Sequence, residues 1–360
     1  MLDEWKMMTR TAAFAAGNFL SCLSLFLYIH INELAWHPTS PTRLVPIDAT
    51  RANPELIIKL SRESLKTDRP KEKELFITVS EKWLCKSVRL GNKMCMLSSA
   101  IATAASRNIT FVMSQSHRPC NWIIQLRQLF ANLKFVKQIP STVVKKWHTA
   151  KENGPYLYSK IPDGRNVSIT GYRQSWKYFR SKEQQAAIRK AFTFTTRYEN
   201  FANQNLAKAR QSYIHIENPI LIGLHMRIGD LVTVKSGKRL ATKAFYDAAL
   251  YKAFLHFNKS PAIIFVAASD SPKLAKKMLS DAAEKYNIFW SSGTAFEDMA
   301  TLSKCNNSII SGGTFGFWTA WLAGGVTFYN ANASLPDSPF SRRYIESNFI
   351  LPSWISVAWV

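Results

Sequence analysis

Residues 220–230 read Ile-Leu-Ile-Gly-Leu-His-Met-Arg-Ile-Gly-Asp, an apolar run that ends in a cluster of polar groups. The run is too short for an ordinary helix and suits a strand, Ile220 to Met226, buried on both faces of a parallel sheet. In open parallel sheets ligands lie beyond the carboxyl ends of the strands, so His225, Arg227 and Asp230 are expected to face a crevice. Arginine offers a planar fork of donors to a pyrophosphate, and a neutral histidine can hydrogen-bond a base or ribose. Taken alone, the same residues also read as a structural histidine beside an Arg227–Asp230 ion pair.

Three further segments have the same character. The apolar run Ile263 to Ala267 leads into Ser269-Asp270-Ser271-Pro272, where Asp270 either binds a ligand hydroxyl or caps the helix that Pro272 begins, capping being the simpler reading. Between Asp298 and Gly325, Gly312, Gly313 and Gly316 flank Thr314 and Phe315 at a helix start, where backbone amides and one hydroxyl can converge on phosphate oxygens. Asp298 can accept from a base or ribose, or simply favour the helix dipole. Upstream, Val88-Arg89-Leu90-Gly91-Asn92-Lys93-Met94 puts a glycine where strand gives way to helix, so Arg89, Gly91 and Asn92 become candidates for approach to a ligand or for a plain turn.

Working outward, short apolar runs alternate with longer helical stretches, the pattern of parallel βαβ units. Strands are predicted at Leu75 to Val79, Asn108 to Met113, Tyr286 to Trp290, Ser308 to Ser311 and Val326 to Tyr329, besides the two above. Helices are predicted at Asn92 to Ser106, Lys182 to Ala209, Ala244 to Phe257, Pro272 to Lys285, Ala295 to Lys304 and Phe315 to Ala323. The fold class is α/β, with two Rossmann-like lobes, 75–209 and 210–360, meeting at a cleft near Ala209 to Pro219.

The N-terminal part has a different composition. Thr11 to Ile31 is apolar over a bilayer-spanning length, with Lys6 and Arg10 before it, which reads as a signal anchor behind a cytosolic tail of residues 1–10. The proline-rich stretch 32–74 then reads as a stem. Sequons at Asn108, Asn166, Asn258, Asn306 and Asn332 agree with a lumenal address, Asn108, Asn166 and Asn332 being the better candidates for a glycan. Four cysteines beyond the anchor (Cys85, Cys95, Cys120 and Cys305) are compatible with two disulfides there. The balance of 47 Lys+Arg against 24 Asp+Glu favours anionic ligands, yet no zinc-finger, homeodomain or RNP pattern accompanies it, so no nucleic-acid partner is expected.

Together these segments resemble the α1,2-fucosyltransferase family, glycosyltransferase family 11. Residues 225–230 are similar to that family's His, apolar residue, two Arg, Gly and Asp; residues 88–94 resemble its Gly-Arg-Leu-Gly-Asn-Gln-Met turn. Gly171 to Phe179 is similar to its Gly-Tyr/Phe-x-Gln-Ser-x-x-Tyr-Phe block, and 298–318 resembles its Asp-x-Ala-x-Leu to Gly-Thr-Phe-Gly-x-Trp pattern. The resemblance implies a GT-B-like inverting enzyme of the Golgi membrane, type II, with its catalytic part lumenal. It would transfer fucose from GDP-fucose to a galactose-terminated glycan without a metal or other cofactor. By matching position, Arg227 would hold the diphosphate and His225 with Asp298 the guanine side. Thr314, Phe315 and Gly316 would line the phosphates and fucose. Asp230 is the candidate base, or else the group that orients Arg227.

Three residues depart from the family pattern: Ile228 stands where a second arginine is usual, Val88 replaces the first glycine of the turn, and Lys93 replaces glutamine. A single-arginine motif also resembles protein O-fucosyltransferases. The loss of one donor leaves a catalytically silent sugar-nucleotide-binding protein as a third reading.

Overall fold

The alternating apolar runs become two parallel sheets in the computed structural model, which describes residues 74–86, 88–229 and 237–359. The expected tail, membrane span and stem lie outside the described residues except for Glu74 at the end of the stem, and Asp230 lies outside them too. Among the described residues no helix is long and apolar enough to cross a membrane.

The first sheet contains β1 (Phe76–Val79), β2 (Thr110–Phe111), β5 (His148–Ala150) and β6 (Val167–Ile169) in the order β2-β1-β6-β5. Beside it, β3 (Met113–Gln115) pairs with β4 (Gln138–Pro140). The predicted strand at Asn108 to Met113 is therefore two, because the chain changes pairing partner after Phe111. Strands β5 and β6 escaped sequence reading, being only three residues each in a stretch of mixed Trp, Pro and Lys composition.

The second sheet holds β7 (Ile220–Met226), β8 (Ile263–Ser269), β9 (Asn287–Trp290), β10 (Asn307–Ile310), β11 (Thr327–Asn330) and β12 (Ile355–Val357). Its order, β12-β11-β10-β7-β8-β9, is that of a doubly wound nucleotide-binding sheet, and every pairing is parallel. The strand order reverses between β7 and β10, and such a reversal opens a crevice at the carboxyl ends of the two strands.

Four helices place the site: α1 (Leu90–Arg107), α2 (Thr196–Ser212), α3 (Ala295–Ser303) and α4 (Gly313–Ala323). The predicted Lys182-to-Ala209 helix is broken before α2, where residues 192–195 run alongside Leu129 to Ala131 and bury Phe192 and Phe194 against Phe130. That aromatic burial outweighs the helix bonds given up. Helix α4 starts two residues before its predicted Phe315, since Gly312 and Gly313 adopt positive φ values of 138° and 76° and Gly313 opens the first turn. The largest apolar cluster runs from β1 and α1 to Phe317, Trp318 and Trp321 of α4, joining the two sheets through a packed seam. Helix α2, grouped with the first lobe in the sequence, lays Leu206 and Ala209 on Leu221, Ile264 and Val266 of the second sheet.

Of the cysteines, Cys85 and Cys120 form a disulfide, whereas Cys95 and Cys305 are buried thiols rather than a second pair. Cys95 accepts a hydrogen bond from the Trp318 indole at 3.2 Å, a partner that its position in the apolar seam supplies.

Candidate active site

His225, Arg227, Ser269 and Asp270 are delivered by the ends of strands, and Arg89, Asn92, Asp298 and Thr314 by the starts of helices. Strand β7 carries His225 to its last turn before Arg227; β10 delivers Ser311 and the glycines ahead of α4. The Arg227 N–H donates to Ser311 Oγ at 2.8 Å, and the Ser311 N–H donates to the His225 carbonyl at 3.2 Å, so the two strand ends are stitched at the reversal point. The His225 ring stacks on Phe315 at 5.1 Å and 25°. It also lies so near Gly316 that a Cβ there would come within 2.6 Å of Nδ1, which excludes any side chain at that position without rearrangement. Burial, with the charge of Arg227 adding to it, pushes the imidazole down to about 4, so His225 is neutral at physiological pH. Its Nδ1 is buried with no hydrogen-bond partner among the described residues.

Asp270 does not cap the helix after it, contrary to the simpler reading of its sequence. Its Oδ1 accepts the backbone N–H groups of Ile228 and Gly229, each at 2.9 Å. Its Oδ2 pairs with Arg227 Nη1 at 3.5 Å and Arg89 Nη1 at 3.4 Å. Burial opposes ionisation, but the N–H groups of Gly229 and Ile228 and the Arg227 charge outweigh it and hold the carboxyl below its ordinary range. Asp270 is thus an organiser of the Arg227 loop. Ser269 accepts the Ser271 N–H at 3.0 Å, tightening the same turn.

Three of the sequence blocks converge on one side chain. Asn92 Oδ1 accepts from Gln174 Nε2 at 2.6 Å and from the Thr314 hydroxyl at 3.1 Å. A Cβ on Gly91 would meet the Thr314 carbonyl carbon at 2.5 Å and the Phe315 nitrogen at 2.6 Å. Gly91 therefore exists to let the start of α1 abut the start of α4. The third block is itself held by Glu152, whose oxygens accept the N–H groups of Tyr172 and Arg173 at 2.7 and 2.6 Å. Fully buried Arg173 donates to the carbonyls of Ala150, Ser159 and Thr170.

Asp298 sits in the first turn of α3, beyond the end of β9. Ser291 Oγ donates to its Oδ1 at 2.5 Å, and Asn205 of α2 donates to Ser291 Oγ at 2.7 Å. Burial pushes the Asp298 carboxyl up to about 6, against the opposing hydrogen bonds from Ser291 and the Gly293 N–H. Asn205, Ser291, Ser311, Gln174 and Glu152 are the site residues that sequence reading missed. Gln174 and Ser311 lie within blocks that were recognised, without being singled out there, and the other three belong to no local motif.

Residues 47–358 match the model of Glycosyl transferase family 11. The chain belongs to that family. Galactoside 2-alpha-L-fucosyltransferase Sec1 of Mus musculus is 28% identical over 350 residues, covering 94% of this chain and 87% of its own. Galactoside alpha-(1,2)-fucosyltransferase 2 of Hylobates lar is 30% identical over 279 residues, covering 75% of this chain and 77% of its own. Among solved structures, POFUT1 in complex with GDP aligns over 70% of this chain and 95% of its own, with 12% identity and a TM-score of 0.39.

Two departures from the family 11 pattern have structural explanations. Lys93 is fully buried and donates to the Leu84 and Lys86 carbonyls at 2.5 Å each, with Nζ 5.0 Å from the Trp122 ring centroid, so the ammonium ties down the loop that carries Cys85. Ile228 is fully buried, a member of the apolar cluster that also holds Met226, Phe245 and Tyr246. Of the sequons, Asn332 Nδ2, the atom a glycan would occupy, donates to the Trp359 carbonyl, and Asn166 Oδ1 accepts the Phe76 N–H. Asn108 is exposed at the left-handed end of α1.

Proposed function

We propose that this chain is an inverting fucosyltransferase of the Golgi lumen that moves fucose from GDP-fucose to the 2-hydroxyl of a terminal galactose on a glycan. The observation that carries the reading is the meeting, at the strand-order reversal of a family 11 chain, of Arg227 with the glycine-fronted start of α4. That helix start offers backbone N–H groups and a positive dipole end to a diphosphate. The galactoside acceptor and the α1,2 linkage follow the names of the relatives.

In this reading the second sheet and its helices form the donor lobe, and the first sheet lines the acceptor side of a GT-B-like cleft. Arg227 binds the diphosphate, neutral His225 and the Asp298 carboxylate face the guanine, and Phe315 with Gly316 shapes the space for fucose. The acceptor oxygen forms its bond to the anomeric carbon as the bond from that carbon to the diphosphate oxygen breaks from the opposite face. The departing GDP takes the electron pair, and its growing charge is met by the Arg227 guanidinium and the α4 amides. The hydroxyl proton passes to a base. Asp270 is ill suited to that task because its two oxygens are engaged and its lowered pKa makes it a weak proton acceptor. Asp230, from its place in the sequence, is the candidate.

Transfer to a protein hydroxyl is the runner-up, favoured only by the single arginine of the motif. Membrane anchoring through Thr11 to Ile31 and a lumenal catalytic part complete the proposal, supported by the Cys85–Cys120 disulfide, which belongs to an oxidising compartment. The test is incubation of the purified full chain with radiolabelled GDP-fucose and a galactose-terminated glycan in excess EDTA. Label is expected in the glycan at the rate seen without chelator. Complete loss in EDTA, restored by Mn²⁺ or Mg²⁺, would mean that a metal carries the diphosphate charge here assigned to Arg227 and α4.

A further inference from the structure

We propose that Arg89, from the first-sheet side of the cleft, is a second guanidinium at the donor diphosphate, acting beside Arg227 at a site where Ile228 supplies none. The inference rests on the GDP-fucose reading above and adds a binding residue to it.

The side chain of Ile228 is wholly buried within its apolar cluster, so nothing at that position can reach an anion except its backbone N–H, which is already donated to Asp270. The guanidinium of Arg89, by contrast, stands beside that of Arg227. One terminal nitrogen of each approaches the same oxygen, Asp270 Oδ2, at 3.4 and 3.5 Å. The two nitrogens are thus separated by no more than the sum of these distances, a span that two adjacent phosphates can bridge. Nothing in the order of the chain suggests this pairing, since Arg89 and Asp270 are 181 residues apart.

The position of Arg89 is also fixed where it matters. It is the residue immediately before α1, and two residues later Gly91 is locked against the backbone of Thr314 and Phe315 at the start of α4. The Arg89 Cα is therefore tied to the glycine-fronted helix start that receives the phosphates. Its side chain is 57% exposed, whereas that of Arg227 is 19% exposed. An exposed ion pair contributes little, and a charge-assisted hydrogen bond to phosphate is stronger, so exchanging the carboxylate for a diphosphate is favourable for Arg89. Asp270 tolerates the exchange because two N–H groups and Arg227 still satisfy it. A residue on each side of the cleft then grips one diphosphate.

The experiment measures equilibrium binding of GDP and of GMP by titration calorimetry to the wild-type full chain, Arg89→Ala and Arg89→Lys, with kcat and thermal midpoint for each. Arg89→Ala is expected to weaken GDP about tenfold to a hundredfold while changing GMP by less than about threefold, and to lower kcat by more than about tenfold. Arg89→Lys, which keeps the charge without the fork, should recover part of the GDP affinity. Equal weakening of GDP and GMP, or unchanged affinity for both with a lowered midpoint, would make Arg89 a structural tie and overturn the proposal. Failure of the wild-type chain to bind GDP at all would instead remove the donor reading on which it rests.

Discussion

Arg227→Lys should slow turnover by about two to three orders of magnitude and leave the acceptor KM nearly unchanged. Lysine retains the charge, so a site that needed attraction alone would tolerate the change. It loses the planar fork, however, and with it the ability to pair with Asp270 while presenting further donors in a fixed plane. The surrounding contacts make that geometry specific. The Arg227 backbone is held by Ser311, its head by Asp270, and the two residues after it by the same carboxylate. A flexible ammonium would meet the developing charge on the leaving diphosphate without a fixed donor geometry. Near-normal turnover by a folded Arg227→Lys variant would remove Arg227 as the leaving-group clamp.

Asp298→Asn should raise the KM for GDP-fucose by about tenfold to a hundredfold, with a smaller effect on kcat, because an amide presents a donor where the guanine edge also donates. The same residue predicts a pH dependence of definite sign. Burial raises the Asp298 carboxyl to about 6 in the empty protein, and guanine N–H groups need the ionised form. Donor affinity should therefore fall as pH drops through about 6. Stability should run the other way: the folded chain binds this proton more tightly than the unfolded chain does, so lowering pH through that range stabilises the empty protein through Asp298. In the Asn variant the pH dependence of KM in this window should disappear. A wild-type KM flat from pH 7 to below 6, or an Asn variant that keeps the wild-type slope, would show that Asp298 does not read the base.

What the sequence revealed follows from how local each signal is. Strand β7 could be read to the residue, Ile220 to Met226, because a run of apolar side chains ending at Arg227 is its own evidence. The glycines before α4 were equally plain, since positive φ at Gly312 and Gly313 leaves few other residue types. Asp270 was misread for the opposite reason. An Asp-Ser-Pro sequence carries the local marks of a helix cap, while its real partners, Ile228 and Arg89, lie 42 and 181 residues away. Gly91 could be recognised as a turn glycine, but its necessity comes from the backbone of Thr314 and Phe315, which only the assembled fold brings to it. The same holds for the chain from Asn205 of α2 through Ser291, in the loop after β9, to Asp298 of α3. Motif spacing identified the groups that touch ligand in the proposed mechanism; the groups that hold them in place are found only through contacts.

The most direct test is linkage analysis, by NMR, of the product formed from GDP-fucose and a β-galactoside-terminated oligosaccharide by the purified full chain. The proposed reaction gives one new fucose in α configuration on the 2-hydroxyl of the terminal galactose, with GDP released in equal amount. Fucose on another hydroxyl, fucose on a serine or threonine of a protein acceptor, or tight GDP-fucose binding with no transfer to any galactoside would contradict it.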